Sequence, residues 1–343
     1  MHYSHINTLR GIAILMVIVV HTSQLFNFDS AFETQIFDYG KMGVQLFFIA
    51  SAYTLCLSSH YKEQEQNHIS KFYIRRYFRI FPIYYIGIIG YYLLNLFVNH
   101  NVDNYTFENV IPNVLFIHGL VPAANNTIVP GGWSIGTEML FYLIFPFLFK
   151  YLSAGRSFIK GVFIILIAQV FIFYFQRKHN FNYEFFYFNI LNQISVFVIG
   201  MLFFLHKKQF TGFKNAVIVF ICFTALALFV SANSEMFKLW GYRYAFRVIP
   251  ILSAIAFCAL FIIAEQSKLI NNIVFQKIGL NSYSIYIIHF VLPFFILPKL
   301  NGYMDLIMAY ILILTSSYIV SKYLNKYLER PFINLGSRII KKV

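Results

Sequence analysis

The sequence predicts an all-α polytopic membrane protein with about ten transmembrane helices and cytoplasmic N- and C-termini. Three observations lead there: a scarcity of charge, a series of apolar runs of spanning length, and basic residues confined to alternate loops. Of the 343 residues, 59% are hydrophobic and 12% charged, against about 25% charged in soluble domains. A soluble chain of this size needs a more polar surface, and the mean hydropathy of +0.65 agrees.

Apolar runs long enough to cross a ~30 Å hydrocarbon core lie near 6–26, 40–59, 80–99, 132–152, 158–177, 186–205, 214–232, 247–265, 281–299 and 304–325. With the N-terminus inside, the loop 60–79 is cytoplasmic and carries Lys62, Lys71, Arg75, Arg76 and Arg79. Counted over all cytoplasmic segments and Arg10, 20 of the 27 Lys and Arg residues fall inside. The first external loop is acidic (Asp29, Glu33, Asp38), and the second, 100–131, has Asp103 and Glu108 but no Lys or Arg. This is the positive-inside pattern. The net charge of +14 therefore orients the chain in a membrane, and no nucleic-acid partner is expected.

The first apolar run is too long for the core of a signal peptide, and no small-residue cleavage site follows it, so it is expected to stay as a helix. No linker or internal repeat divides the chain, and residues 1–343 are read as one transmembrane domain. Cys56, Cys222 and Cys258 lie in apolar runs without CxxC spacing and read as small buried side chains. Neither a disulfide nor a metal is expected.

An ionisable side chain inside a bilayer is a candidate for function, and here four groups stand out. Arg10 and His21, eleven residues apart, share one helix face about 16 Å apart along the axis. Arg10 otherwise reads as a snorkelling interfacial arginine, and His21 as a histidine satisfied by a neighbouring helix. Arg76 and Arg79, at i and i+3 among aromatic residues, suit a phosphate-bearing ligand with a planar base. An anchor for anionic lipid headgroups is the plainer reading.

The third group is Trp133, Ser134 and Glu138 at the start of the fourth run. Glu138 falls at a depth similar to His21, and a His–Glu pair is ordinary equipment for general-base chemistry. Its alternative role is a structural tie between helices. The fourth is the stripe Ser282, Tyr283, Tyr286 and His289, which more often joins helices by hydrogen bonds than performs chemistry. Such buried polar groups also occur in a transporter or flippase of lipid-linked glycans, but the paired Gly/Pro-broken helices of two related halves are missing.

Taken in order, these elements resemble the acyltransferase-3 family of bacterial membrane O-acyltransferases. Arg10 and His21 match its basic residue, ten intervening positions and histidine. Gly43-Val44-Gln45-Leu46-Phe47-Phe48-Ile49-Ala50-Ser51 resembles its second-helix pattern, and Arg76 and Arg79 match its RxxR. Trp133, Ser134 and Glu138 match its WSLxxE-type segment; Ser282, Tyr283 and His289 resemble its late helix; Glu329-Arg330-Pro331 matches its terminal ExP. Ala50-Ser51-Ala52-Tyr53 departs from it, with alanine where the family usually has glycine. A fused extracytoplasmic esterase-like domain, carried by some members, is not expected here.

The resemblance implies acetyl-CoA as donor substrate at the cytoplasmic face of a bacterial inner membrane, with Arg76 and Arg79 near its phosphates and Arg10 assisting. It implies that His21 either deprotonates an acceptor hydroxyl or carries the acetyl group briefly itself. The acceptor implied is a surface or lipid-linked glycan, with Trp133, Ser134, Ser282, Tyr283, Tyr286 and His289 contacting it or supporting the site. Membrane lipid is a further partner, and a homo-oligomer stays open. Within the external loop 100–131, residues 110–121, with Pro112 near the start and Pro122 just past the end, are expected to form a short or re-entrant helix at the acceptor mouth.

Overall fold

A computed structural model of the chain describes residues 3–179, 181, 183–234, 236, 238–239, 242–295 and 302–342. Among the described residues the regular structure is helical, apart from a two-stranded ribbon that pairs Lys238–Leu239 with Tyr242–Arg243. The helices are α1 Ser4–Ser23, α2 Ala31–Asp38, α3 Gly43–Lys62, α4 His68–Leu94, α5 Phe107–Val114, α6 Gly132–Ser153, α7 Ser157–Lys178 and α8 Tyr183–Phe188. They continue with α9 Ile190–His206, α10 Phe213–Ala232, α11 Ala245–Gln266, α12 Ile273–Leu280, α13 Ser282–Ile288, α14 Tyr303–Leu324 and α15 Arg330–Ile340.

Among the described residues, nine helical stretches are long and apolar enough to cross a membrane, so the chain is an all-α, multi-pass membrane protein. The expected span at 281–299 is the exception. There α13 ends at Ile288 and a 3-10 turn covers Leu292–Phe294; residues 296–301 lie outside the described residues. Residues 60–79, read as a loop, are helical except at the turn 63–67. In 100–131 the helix begins at Phe107, ahead of Val110, and a 3-10 turn follows at His118–Leu120.

Lipid is as apolar as the side chains it meets, so helices in a membrane associate through close packing and hydrogen bonds. The crossing of α1 with α12 depends on glycine. A Cβ on Gly279 would lie 1.8 Å from the Asn7 carbonyl oxygen, and one on Gly11 would lie 2.2 Å from that of Phe275. Backbone therefore meets backbone, and α1 is fixed with both Arg10 and His21 on it. Ala52, standing where the resemblance expects glycine, faces Gly200 of α9 at 3.0 Å from its notional Cβ; here the small residue is on the partner helix.

The core centres on α1, α3, α9 and α11, whose inward residues (Ile14, Phe48, Phe197, Phe261) are almost wholly buried. By contrast α7 and α10 expose long apolar faces, among them Phe163, Val170, Ile218 and Ile221. Cys222, expected to be buried, is exposed on α10, whereas Cys56 and Cys258 are buried. An apolar helix at the edge of a membrane bundle turns its outer face to lipid, and sequence alone does not say which face that is.

Candidate active site

Two cavities lie end to end inside the bundle. The first is a chamber of about 70 Å³ between α1, α3, α4, α6 and α13, lined by Arg10, Arg76, Arg79, Ser134, Glu138, Ser282, Tyr283 and Tyr286. Eight of the residues singled out in the sequence thus surround one small space. Arg10 reaches Thr54 Oγ1 with Nη2 at 3.4 Å. Arg76 lies with its guanidinium carbon 5.7 Å from the Phe72 ring centre and 5.8 Å from that of Tyr142, and its buried Nε has no hydrogen-bond partner. Among the described residues, none of the three arginines forms an ion pair within 4.0 Å.

Among the residues lining the chamber, Glu138 is the acidic one; Glu329 lies outside it, close enough to act on Arg79. Glu138 Oε1 accepts from Ser51 Oγ at 2.5 Å and from the Tyr142 hydroxyl at 2.6 Å. Tyr142 follows Glu138 by one helical turn, and Ser51 comes across from α3. Neither was anticipated. A serine or tyrosine on an apolar helix carries no distinctive pattern, although Ser51 closes the stretch that matches the second-helix motif.

The second cavity is a vestibule of about 720 Å³, lined by His21, Gln24, Trp133, Tyr187, Phe188, Tyr286 and Phe290, with Asp38, Lys41, Asn126 and Glu184 among its polar groups. Lys41 and Asp38 form an ion pair with each other. Trp133 stacks on Phe188 with ring centres 4.3 Å apart.

The structure does not bring His21 and Glu138 together. His21 lines the vestibule and Glu138 the chamber. Matching depth fixes a residue's position along the membrane normal but not its direction around the helix, and the two side chains point into different spaces. The partner of His21 is Gln24, whose amide oxygen is 3.2 Å from Nδ1. With the Gln24 oxygen as acceptor, Nδ1 is the donor and Nε2 keeps its lone pair. The ring packs against Phe290 at 4.3 Å and His289 at 5.3 Å between centres.

The late stripe divides its work. Tyr283 donates to the Ile80 carbonyl at 2.7 Å, tying α13 to the arginine-bearing α4. The Tyr286 hydroxyl donates to the Gly131 carbonyl at 2.9 Å and accepts from Ser134 Oγ at 2.9 Å. His289 is 1% exposed and donates from Nδ1 to the Tyr286 carbonyl at 2.8 Å. Glu329, in a π turn at Asn325–Glu329, accepts from Asn325 Nδ2 at 2.6 Å and from Ser284 Oγ at 3.4 Å. It braces the end of α14 against α13.

A buried network behind α6 was also missed. Tyr84 donates to Asn113 at 2.6 Å and lies 3.1 Å from His118 Nε2, which is 2.9 Å from the Gly132 carbonyl. His118 is fully buried. Burial holds its imidazole below the usual histidine range, against the opposing pull of the Gly132 and Pro112 carbonyls. It stays neutral and anchors the turn that leads into Trp133 and Ser134.

Spanning helices enclosing an arginine-lined chamber and a histidine-bearing vestibule define a multi-pass membrane protein with a polar site in its interior. The matching family is described as an acyltransferase domain and covers residues 3–326. The chain belongs to this acyltransferase family, which sets the transporter reading aside.

Relatives agree on the chemistry in their names. The acyltransferase MdmB of Streptomyces mycarofaciens is 27% identical over 152 residues, 41% of this chain and 38% of that protein. A putative acetyltransferase, ORF330, of Acidianus two-tailed virus is 24% identical over 289 residues, 83% of this chain and 81% of the relative. The peptidoglycan O-acetyltransferase OatA of Listeria monocytogenes is 28% identical over 153 residues, 41% of this chain and 23% of that protein. The chain thus spans less than half the length of MdmB and OatA. No solved structure matches it.

Proposed function

We propose that this chain is an O-acyltransferase of a bacterial inner membrane, moving an acetyl group from cytoplasmic acetyl-CoA to a hydroxyl of a surface or lipid-linked glycan. The observation that carries the reading is the convergence of Arg10, Arg76 and Arg79 on one chamber without ion pairs of their own. Three guanidiniums facing one hydrogen-bonded carboxylate leave an excess of positive charge, which suits phosphate groups. The chamber is too small for a nucleotide but admits a slender chain. In this reading the phosphates stay at the arginine end and the thioester arm runs inward.

The vestibule supports the acceptor side. Its aromatic and polar lining suits a sugar ring, with apolar faces and a hydroxyl edge. His21 Nε2 takes the proton from the acceptor hydroxyl as its oxygen attacks the thioester carbonyl. The C–S bond breaks, and the imidazolium returns the proton to the leaving sulfur. OatA's name supports a glycan acceptor. The basic ends of the helices, with Lys62, Arg75 and Arg338, would then face the cytoplasm.

The test uses purified protein in lipid nanodiscs, measuring thiol release from acetyl-CoA with a glycan acceptor present. The wild type should release thiol in step with O-acetyl formation, and His21→Ala should do neither. Thiol release without acyl transfer to any hydroxyl would remove the acceptor half of the proposal.

A further inference from the structure

Among the described residues, two side chains, Val44 and Tyr286, line both the chamber and the vestibule. Tyr286 is 5% exposed, its ring lies edge-on to Phe47 at 6.1 Å, and its hydroxyl is held from two directions by Gly131 and Ser134. Gly131 adopts a φ of +75°, a conformation that favours glycine. A Cβ there would meet the Tyr286 hydroxyl at 2.9 Å and Phe290 at 3.0 Å. The turn is therefore built to let its carbonyl grip this one phenol.

We infer that Tyr286 is a latched partition between the donor chamber and the acceptor vestibule, and that it decides whether the acyl group goes to the acceptor or to water. The consequence for the acyl group rests on the acyltransferase reading; the partition itself does not. A thioester in the chamber and a hydroxyl in the vestibule meet only across the wall that this ring forms with Val44. With the ring in place and no acceptor present, vestibule water is kept from the thioester. With the ring removed, water attacks the carbonyl carbon: a C–O bond forms, the C–S bond breaks, and the proton lost by water goes to the thiolate. The products are the free acid and the thiol. Exclusion of water in this manner is a recognised guard against hydrolysis.

Two readouts test this. In full-length protein with its three cysteines replaced by alanine, Ile135→Cys in the chamber and Ser234→Cys in the vestibule are labelled with a membrane-impermeant thiol reagent added on the vestibule side. The Ser234 site should react in every background. The Ile135 site should react slowly beside Tyr286 or Tyr286→Phe, and about tenfold faster or more beside Tyr286→Ala. In the cysteine-containing protein, Tyr286→Ala should raise acceptor-independent acetyl-CoA hydrolysis relative to transfer by about tenfold or more. Should Tyr286→Ala not fold, Val44→Gly opens the same wall. Equal labelling of Ile135→Cys in all backgrounds overturns the partition. Labelling that rises while no variant consumes acetyl-CoA upholds the partition and overturns the acyl-transfer reading instead.

Discussion

Tyr142 donates its hydroxyl to Glu138 at 2.6 Å from one turn further along the same helix, while Ser51 donates to the same oxygen from α3. Both donors are buried or nearly so, and the carboxylate they hold faces Arg10, Arg76 and Arg79. Glu138 thus belongs to the arginine-lined chamber, where it faces three like charges. Glu138→Ala leaves two buried hydroxyls without their acceptor, a loss of about 1–3 kcal/mol. Its thermal midpoint in detergent should fall, and Glu138→Gln, which keeps an accepting oxygen, should fall less. Equal midpoints for the two variants would mean that the two hydrogen bonds add nothing.

The unpaired arginines should govern donor binding. Arg76→Ala and Arg79→Ala are each expected to raise the KM for acetyl-CoA by about 10- to 100-fold, the range of charge-assisted hydrogen bonds. Arg76→Lys should recover part of that loss, since lysine keeps the charge but not the fork. Kinetics across acetyl-CoA concentrations, run beside a topology reporter, separates this role from membrane anchoring.

The crossing of α1 and α12 is predicted to tolerate no side chain at Gly279. Its notional Cβ lies 1.8 Å from a backbone oxygen, so no rotamer change relieves the clash. Gly279→Val should exceed the roughly 1–3 kcal/mol usual for overpacking, read as loss of monodisperse protein on size exclusion. A well-behaved variant with wild-type midpoint would contradict the packing described.

His118 gives a pH dependence with a definite sign. Its folded pKa is depressed by burial, so on acidification the unfolded chain takes up a proton at this site before the folded one does. Stability from a neutral His118 is complete above the unfolded value near 6.5 and declines as pH falls below it, by up to about 1.4 kcal/mol per unit. The drop in thermal midpoint between pH 7.5 and ~5.5 should be smaller in His118→Gln than in wild type. Identical drops would show that His118 titrates normally.

Much of this site was legible as residue types and little of it as partnerships. Arg10, Arg76, Arg79, Glu138 and Tyr286 stood out because charge and polarity are scarce in apolar helices, and they do share one chamber. The His21–Glu138 pair failed because depth says nothing about azimuth. Ser51 reaches Glu138 from another helix, and the Tyr84–Asn113–His118 network joins α4 to α5 and the turn beyond it, so no local pattern marks either. Tyr142 lies one turn from Glu138 on the same helix, but a tyrosine on an apolar helix is not distinctive. Most spans were legible from hydropathy. The start of α4 was not, because its first two turns are basic and resemble a loop.

If His21 is the base that activates a glycan hydroxyl for acyl transfer, its loss should be visible on the surface glycan of living cells. The O-acetyl content of surface polysaccharide is measured by NMR in a deletion strain complemented with wild type or with His21→Ala, both confirmed in the membrane. Wild type should restore acetylation, and His21→Ala should leave it about 100-fold or more lower. Full restoration by the His21 variant, or unchanged acylation of every surface glycan on deletion, would contradict that role.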